Sequence, residues 1–132
     1  MKRIVLVLMF AVAVVFNVQA QKDVEEKEDV FEVVDQMPEY PGGQDSMLSF
    51  IVKNVEYPAT ARQNEIAGKV FVGFVIDETG SVTNAKIIRG VDYDLDKEAL
   101  RVVNLMEKWT PGKEKGKTVK VKYTLPINFA LK

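Results

Sequence analysis

The side chains best able to do chemistry in this chain are carboxylates, and three of them alternate in the run Asp92-Tyr93-Asp94-Leu95-Asp96. Aspartates at alternate positions also open the calcium loop of an EF-hand. That loop needs glycine at its sixth position and glutamate at its twelfth, where this chain has Lys97 and Val103. The run therefore predicts helix capping, with Asp94 as the N-cap, and not a metal site.

Residue types that many enzymes and metal sites need are missing. The 132 residues include no Cys and no His, which excludes thiol nucleophiles, Ser-His-Asp triads and imidazole or thiolate zinc sites. The glycine loops that hold phosphates do not occur either. A carboxylate pair for glycoside cleavage stays open. We expect a non-enzymatic protein without catalytic residues, metal or cofactor, and its net charge of −1 predicts no nucleic-acid partner.

The first twenty residues have the composition of a secretory signal. Lys2 and Arg3 precede an apolar run at 4–16, and Val18 and Ala20 supply small side chains before a cleavage site. We expect residues 1–20 to be removed and the rest to be periplasmic. The alternative is an uncleaved inner-membrane anchor facing the periplasm, although a membrane span usually needs about 18–20 apolar residues.

The remaining chain divides into an acidic lead-in at 21–36, with a short strand at 30–34, and one domain at 37–132. Apolar spacing predicts a helix after residue 44 with Met47, Leu48, Ile51 and Val52 on one face. A second short helix follows Pro58. Alternating apolar residues around Asp77-Glu78-Thr79-Gly80 predict a β-hairpin.

A long helix at 92–106 and a long strand at 118–131 complete the predicted domain. The helix has apolar residues at helical spacing, and a lysine-rich loop at 113–117 follows it. The strand alternates without a break, but Pro126 cannot donate to a sheet ladder, so at least one side of the strand should be free. Lys120 and Lys122 are typical of such an edge. The fold class is α+β: a small antiparallel sheet, made of the hairpin and this edge strand, packed against the long helix.

Read in order, these segments resemble the C-terminal domain of TonB, the energy transducer of Gram-negative envelopes. The matching pieces share their order and spacing between residues 57 and 129; they are Tyr57-Pro58-Ala59, Gly68-Lys69-Val70, Asp77 with Gly80-Ser81-Val82, Leu95-Asp96, Trp109 with Pro111-Gly112, and Leu125-Pro126-Ile127 with Phe129. The run Met37-Pro38-Glu39-Tyr40-Pro41-Gly42-Gly43 resembles the lead-in of one subgroup of these domains.

The resemblance implies a module that captures the TonB-box peptide of an outer-membrane TonB-dependent transporter, which adds as a strand beside the last strand. Carried over, the peptide-binding edge is Thr118, Val119, Lys120, Val121, Lys122, Tyr123 and Thr124. A secondary contact would come from Asn54, Glu56 and Tyr57. The same edge could pair with a second copy to give a homodimer. The alternatives are a structural module of an envelope complex and, without cleavage, a short anchored transducer.

Overall fold

The computed structural model describes residues 29–131, so the expected signal at 1–20 and most of the acidic lead-in lie outside the described residues. The elements run in the order β1 (Val30–Phe31), α1 (Gln44–Asn54), α2 (Ala59–Gln63), β2 (Gly68–Ile76), β3 (Val82–Arg89), α3 (Tyr93–Asn104), β4 (Gly112–Glu114) and β5 (Lys117–Phe129). The α+β class is confirmed.

The sheet has the strand order β1-β5-β2-β3, and β4 pairs with the start of β5. The β2–β3 and β2–β5 pairs are antiparallel, whereas β1 runs parallel to β5. The predicted hairpin is confirmed: Gly80 turns it with a φ of 89°, a conformation that glycine adopts at little cost.

One face of the sheet is covered by helices, and we call it the helix-covered face. Alternate residues of β2 point into it and are at most 1% exposed, namely Val70, Val72, Phe74 and Ile76. The long helix α3 meets them with Leu95, Ala99, Val102 and Val103, which are fully buried. The opposite face, here the open face, carries the intervening residues of each strand.

Three local predictions need correction. The N-cap of α3 is Asp92 and not Asp94, because the Asp92 carboxylate accepts from the Asp94 and Leu95 backbone N–H groups. On α1, Met47 is buried but Leu48 is 50% exposed, since adjacent helical residues point about 100° apart. Only Val30–Phe31 of the predicted strand at 30–34 forms β1.

The predicted lysine-rich loop is also wrong in part. Its first residues form β4, which returns to β5 through a tight turn at Lys115 and Gly116, both with positive φ. Two single bridges, Gln36 with Lys113 and Glu39 with Thr110, tie the chain before α1 to this region. The lead-in to α1 therefore lies along β4 and the turn that precedes it.

Candidate functional site

The last strand β5 has a different set of neighbours in each of its two parts. Residues 117–119 pair with β4, and Lys120 and Val121 pair with β1. From Lys122 onward each residue pairs with β2 on one side only. Within residues 29–131 no strand lies on the other side, which we call the free side of β5.

The seven predicted edge residues thus divide into two groups. Thr118, Val119, Lys120 and Val121 already have a strand neighbour in β4 or β1. Lys122, Tyr123 and Thr124 border the free side. An open edge exists, but it begins at Lys122, part-way along the predicted range.

Side chains at the open edge alternate between two environments. Lys122 and Thr124 point to the open face and are exposed. Tyr123 lies on the helix-covered face, where its ring centroid is 5.6 Å from that of Phe74 and 5.0 Å from that of Trp109. An added strand would therefore meet polar groups on one face and aromatic rings on the other.

Trp109 is the centre of this aromatic cluster. It is 4% exposed, and Tyr40 meets it edge-on with ring centroids 5.5 Å apart. Burial raises the pKa of Tyr40 above its ordinary value of 10.0, which further favours the neutral phenol. The Trp109 Nε1 group is buried and has no hydrogen-bond partner among the described residues.

The hairpin turn fixes Trp109 in place. The Trp109 backbone N–H donates to the Gly80 carbonyl at 2.8 Å, and a Cβ on Gly80 would lie 1.9 Å from the Trp109 carbonyl oxygen. The Asp77 carboxylate accepts from the Thr79 hydroxyl at 2.6 Å and the Ser81 N–H at 3.0 Å. These bonds, that from Thr79 foremost, hold the Asp77 pKa below its ordinary value.

A shallow groove of about 400 Å³ lies on the open face, where β2 and β3 supply most of its lining and Lys122 is its one residue from β5. Gly73, Val75 and Val30 are among its lining residues, and Lys86 and Lys122 also line it. The groove therefore combines apolar surface with two basic side chains.

The predicted secondary contact is fastened to α3. The Asn54 carbonyl accepts from Arg101 Nη2 at 2.8 Å, and the Glu56 N–H donates to Glu98 Oε2 at 2.6 Å. Arg101 also donates to both Glu98 oxygens at 2.7 Å. The hydrogen bond from Arg101, ahead of that from the Glu56 N–H, lowers the pKa of Glu98.

The secondary contact lies near the far end of β5. Tyr57 packs edge-on against Phe129 with centroids 5.7 Å apart and donates its hydroxyl to the Ile66 carbonyl. Phe129 lies five positions after Thr124 in β5, or about 17 Å along the strand at the usual rise. The structure does not bring these two predicted contacts together at one point.

The residues that sequence reasoning missed are the aromatic neighbours of Tyr123. Trp109 is buried, and nothing in the sequence indicates its contacts with Tyr40 and Tyr123. These residues come from a loop, the lead-in and a strand. No periodic pattern links them, so only the fold could bring them together.

The fold and this site define a class: a small interaction domain with an open sheet edge beside an aromatic cluster. The family is shown by sequence, because the model of the family described as "Gram-negative bacterial TonB protein C-terminal" matches residues 53–131. The chain belongs to this family. None of the curated proteins compared with the chain matches it.

Two solved structures are similar to the chain, both NMR solution structures of fragments of the Helicobacter pylori TonB C-terminal domain. One is 28% identical, with a TM-score of 0.51, and the match covers 70% of this chain and 87% of that one. The other is 26% identical, with a TM-score of 0.49, and covers 65% and 90%. The first supports the same fold for residues of this domain.

Membership sets the general role. Domains of this family are non-enzymatic interaction modules that serve TonB-dependent transport, and TonB proteins act in the periplasm. Across residues 29–131, no helix has the length and apolar character to cross a membrane. The same part of the chain holds no group of three or more acidic side chains arranged to bind a metal ion.

Proposed function

We propose that this domain captures an extended peptide segment, the TonB box, of an outer-membrane TonB-dependent transporter. The peptide adds as a strand on the free side of β5, beginning at Lys122 and continuing past Thr124. The observation that carries the proposal is the unpaired side of these residues, since an exposed edge is a template for another strand. Family membership supports the kind of partner.

The backbone of β5 has donors available for such a strand. Pro126 pairs in register with Phe71 of β2 but has no N–H to give it. In an antiparallel ladder, residues alternate between pointing their N–H and C=O groups toward one neighbour and toward the other. We therefore expect Lys122 and Thr124, which share the alternation of Pro126, to direct their N–H groups to the free side.

The charges of the open face define the peptide further. Residues of the added strand that point to the open face would lie near Lys122, the exposed lysine at the start of the free side. Acidic side chains at those positions would gain favourable, salt-dependent attraction. We infer that the peptide carries an acidic residue on this face, and that Asn54, Glu56 and Tyr57 contact the transporter beyond the far end of β5.

Two aspects of the wider role also belong to this proposal. We infer that the mature domain begins after a cleaved signal at 1–20 and works in the periplasm as a non-enzymatic binding module. Without cleavage, the same domain would act as a short membrane-anchored transducer. Mass spectrometry of the native N-terminus separates these two forms, because only cleavage gives a chain that starts at Gln21.

The test is a titration of ¹⁵N-labelled domain with a panel of TonB-box peptides, read from backbone amide shifts. Shifts should centre on Lys122, Tyr123 and Thr124, and weaken toward the start of β5. Thr124→Pro should abolish binding, because it removes a donor from the free side. Thr124→Val keeps the backbone N–H and should bind like the unchanged protein.

The proposal fails if Thr124→Pro, still folded by its spectrum, binds the peptides with unchanged affinity. It also fails if no peptide binds the folded domain. Sedimentation measured over a range of concentrations tests the other use of the free side, pairing with a second copy. If the domain is a dimer and Thr124→Pro dissociates it, the free side of β5 pairs with a second copy of the chain.

One observation favours the alternative of a structural module in an envelope complex. Leu48 and Val52 lie one turn apart on α1 and are 50% and 76% exposed, whereas no β5 residue is among the exposed large hydrophobic residues of the described chain. A folded domain that ignores every peptide of the panel would support this alternative.

A further inference from the structure

A small pocket lies next to the free side of β5 on the helix-covered face. Its volume is about 120 Å³, and its walls come from Pro38, Tyr40, Met47, Trp109 and Tyr123. No residue of β2 or β3 lines it. Since Tyr123 is its only contribution from the sheet, the pocket lies toward the outer side of β5 and not between β5 and β2.

One of the lining residues, Trp109, carries a hydrogen-bond donor whose bond is not made within the described chain. Trp109 is only 4% exposed, and its Nε1–H has no hydrogen-bond partner among the described residues. Leaving a buried donor unsatisfied costs about 1–3 kcal/mol, and such groups are rare enough in native structures to call for an explanation. An acceptor that reached Nε1 from the pocket would remove this cost.

The other polar groups at the pocket restrict which acceptor fits. Glu39 and Gln44 lie at its border. A carboxylate ligand would be repelled by Glu39, whereas a neutral amide can offer its C=O to Trp109 and its NH₂ to Glu39 or Gln44. The volume is about four times the roughly 30 Å³ that one water occupies in the liquid, so a side-chain amide has room.

We propose that this pocket receives a carboxamide side chain, asparagine or glutamine, of the bound peptide, and that Trp109 Nε1 donates to its carbonyl oxygen. The inference rests on the proposed function, since it places the peptide beside β5. A residue opposite Tyr123 would have its Cβ about 4.5–5.5 Å from that of Tyr123 and on the same face. Its side chain would therefore start at the border of the pocket.

The experiment uses the fact that the chain has a single tryptophan, so its ¹H–¹⁵N spectrum contains one indole signal. A peptide that binds the domain is made in versions that carry Gln, Leu or Glu at each position in turn. At the position opposite Tyr123, Gln should move the indole signal downfield and slow its exchange with solvent. Affinity there should exceed that of the Leu and Glu versions by about 3- to 10-fold, the range expected for one hydrogen bond.

Neighbouring peptide positions provide an internal control. Because side chains alternate across a strand, Gln one position earlier or later should leave the indole signal as Leu does. Trp109→Phe keeps an aromatic ring, although a smaller one, and removes the indole N–H, so it should still bind the Leu peptide and lose the preference for Gln. If this variant does not fold, the indole signal of the unchanged protein still decides the question.

The outcomes separate the pocket from the proposed function. Peptides that move the Lys122 and Thr124 amides but leave the indole signal and the Gln preference unchanged overturn the pocket proposal alone. If no peptide binds, propionamide is titrated against the indole signal. A shift then supports an amide site independent of strand addition, and a signal that does not move overturns the proposal.

Discussion

The two parts of β5 have similar alternating sequences but different surroundings. Residues 117–121 are enclosed by β4 and β1, whereas Lys122 and its successors keep one side free within the described chain. Both parts contain exposed lysines and threonines. The comparison teaches that the pattern of a strand sets its two faces, while distant segments decide which stretch of its edge is open.

The largest effect on stability should come from comparing a proline substitution in the enclosed part of β5 with one in the open part. Val121 is fully buried and pairs with both Phe31 and Ile76, so Val121→Pro should destabilise the domain by about 3 kcal/mol or more. Thr124→Pro should cost less than about 1 kcal/mol, because its N–H faces the free side. Urea unfolding measures both, and equal losses would contradict the division of β5.

This expectation also changes how peptide binding is tested. Val121→Pro would remove binding by unfolding the domain, so its loss of binding would not identify the edge. Thr124→Pro is the informative substitution, and its spectrum supplies the control for folding.

A second pair of substitutions compares the glycine of the β2–β3 turn, which contacts Trp109, with the glycine of the β4–β5 turn. Gly80→Ala places a Cβ against the Trp109 carbonyl at a φ of 89° and should cost about 3 kcal/mol from overpacking and backbone strain. Gly116, in the β4–β5 turn, has a φ of 79° with nothing within 4 Å. Gly116→Ala should therefore cost about 1 kcal/mol. Similar losses in urea unfolding would show that the contact with Trp109 contributes little.

A smaller effect should follow from loosening β1. Phe31→Pro disturbs a pairing of only two residues and should cost about 1 kcal/mol, the value of one hydrogen bond. Amide hydrogen exchange should accelerate at Lys120 and remain unchanged at Tyr123. Val33→Pro, at an 80% exposed position outside the strand, is the matched control. If exchange at Lys120 accelerates in this variant too, the effect of Phe31→Pro cannot be assigned to the loss of β1.

The smallest effect concerns the hydrogen bonds by which Glu98 and Arg101 of α3 hold the chain at Asn54 and Glu56. Because the Glu98 pKa lies below its ordinary value of 4.5, its ionised form stabilises the fold above about pH 4.5, and this stability is lost as the pH falls through the lowered pKa. Glu98→Gln should be less stable near neutral pH and lose less stability on acidification. Glu78→Gln, in the exposed hairpin turn, should keep the original pH profile in thermal melts. A profile unchanged by Glu98→Gln would contradict this role.

Local patterns predicted most of the elements. The hairpin, α3 and β5 followed from alternation or helical spacing that a few adjacent residues carry. Pro126 correctly indicated a side without a strand neighbour. The N-cap was misplaced because Asp92 and Asp94 both suit the position, and only the geometry of the first turn decides between them.

The neighbours of β5 could not be predicted in the same way. Phe31 meets Val121, and Tyr40 meets Trp109, across long stretches of chain. Two residues of strand give too little alternation to indicate a partner, and an aromatic contact has no sequence period. The free part of the edge and the pocket beside it are properties of the assembled fold.

The parallel pairing of β1 with β5 also has a consequence for how the chain folds. It joins Val30 to Lys120, so it closes a loop of almost the whole described chain for very few contacts, whereas the β2–β3 hairpin closes over a short turn. We expect the hairpin to form early, β5 to join it, and β1 to dock last. Before β1 docks, a newly made chain would expose the β5 edge at Lys120 and Val121 as well. The edge open to unwanted strand pairing is therefore longer during folding than in the folded domain.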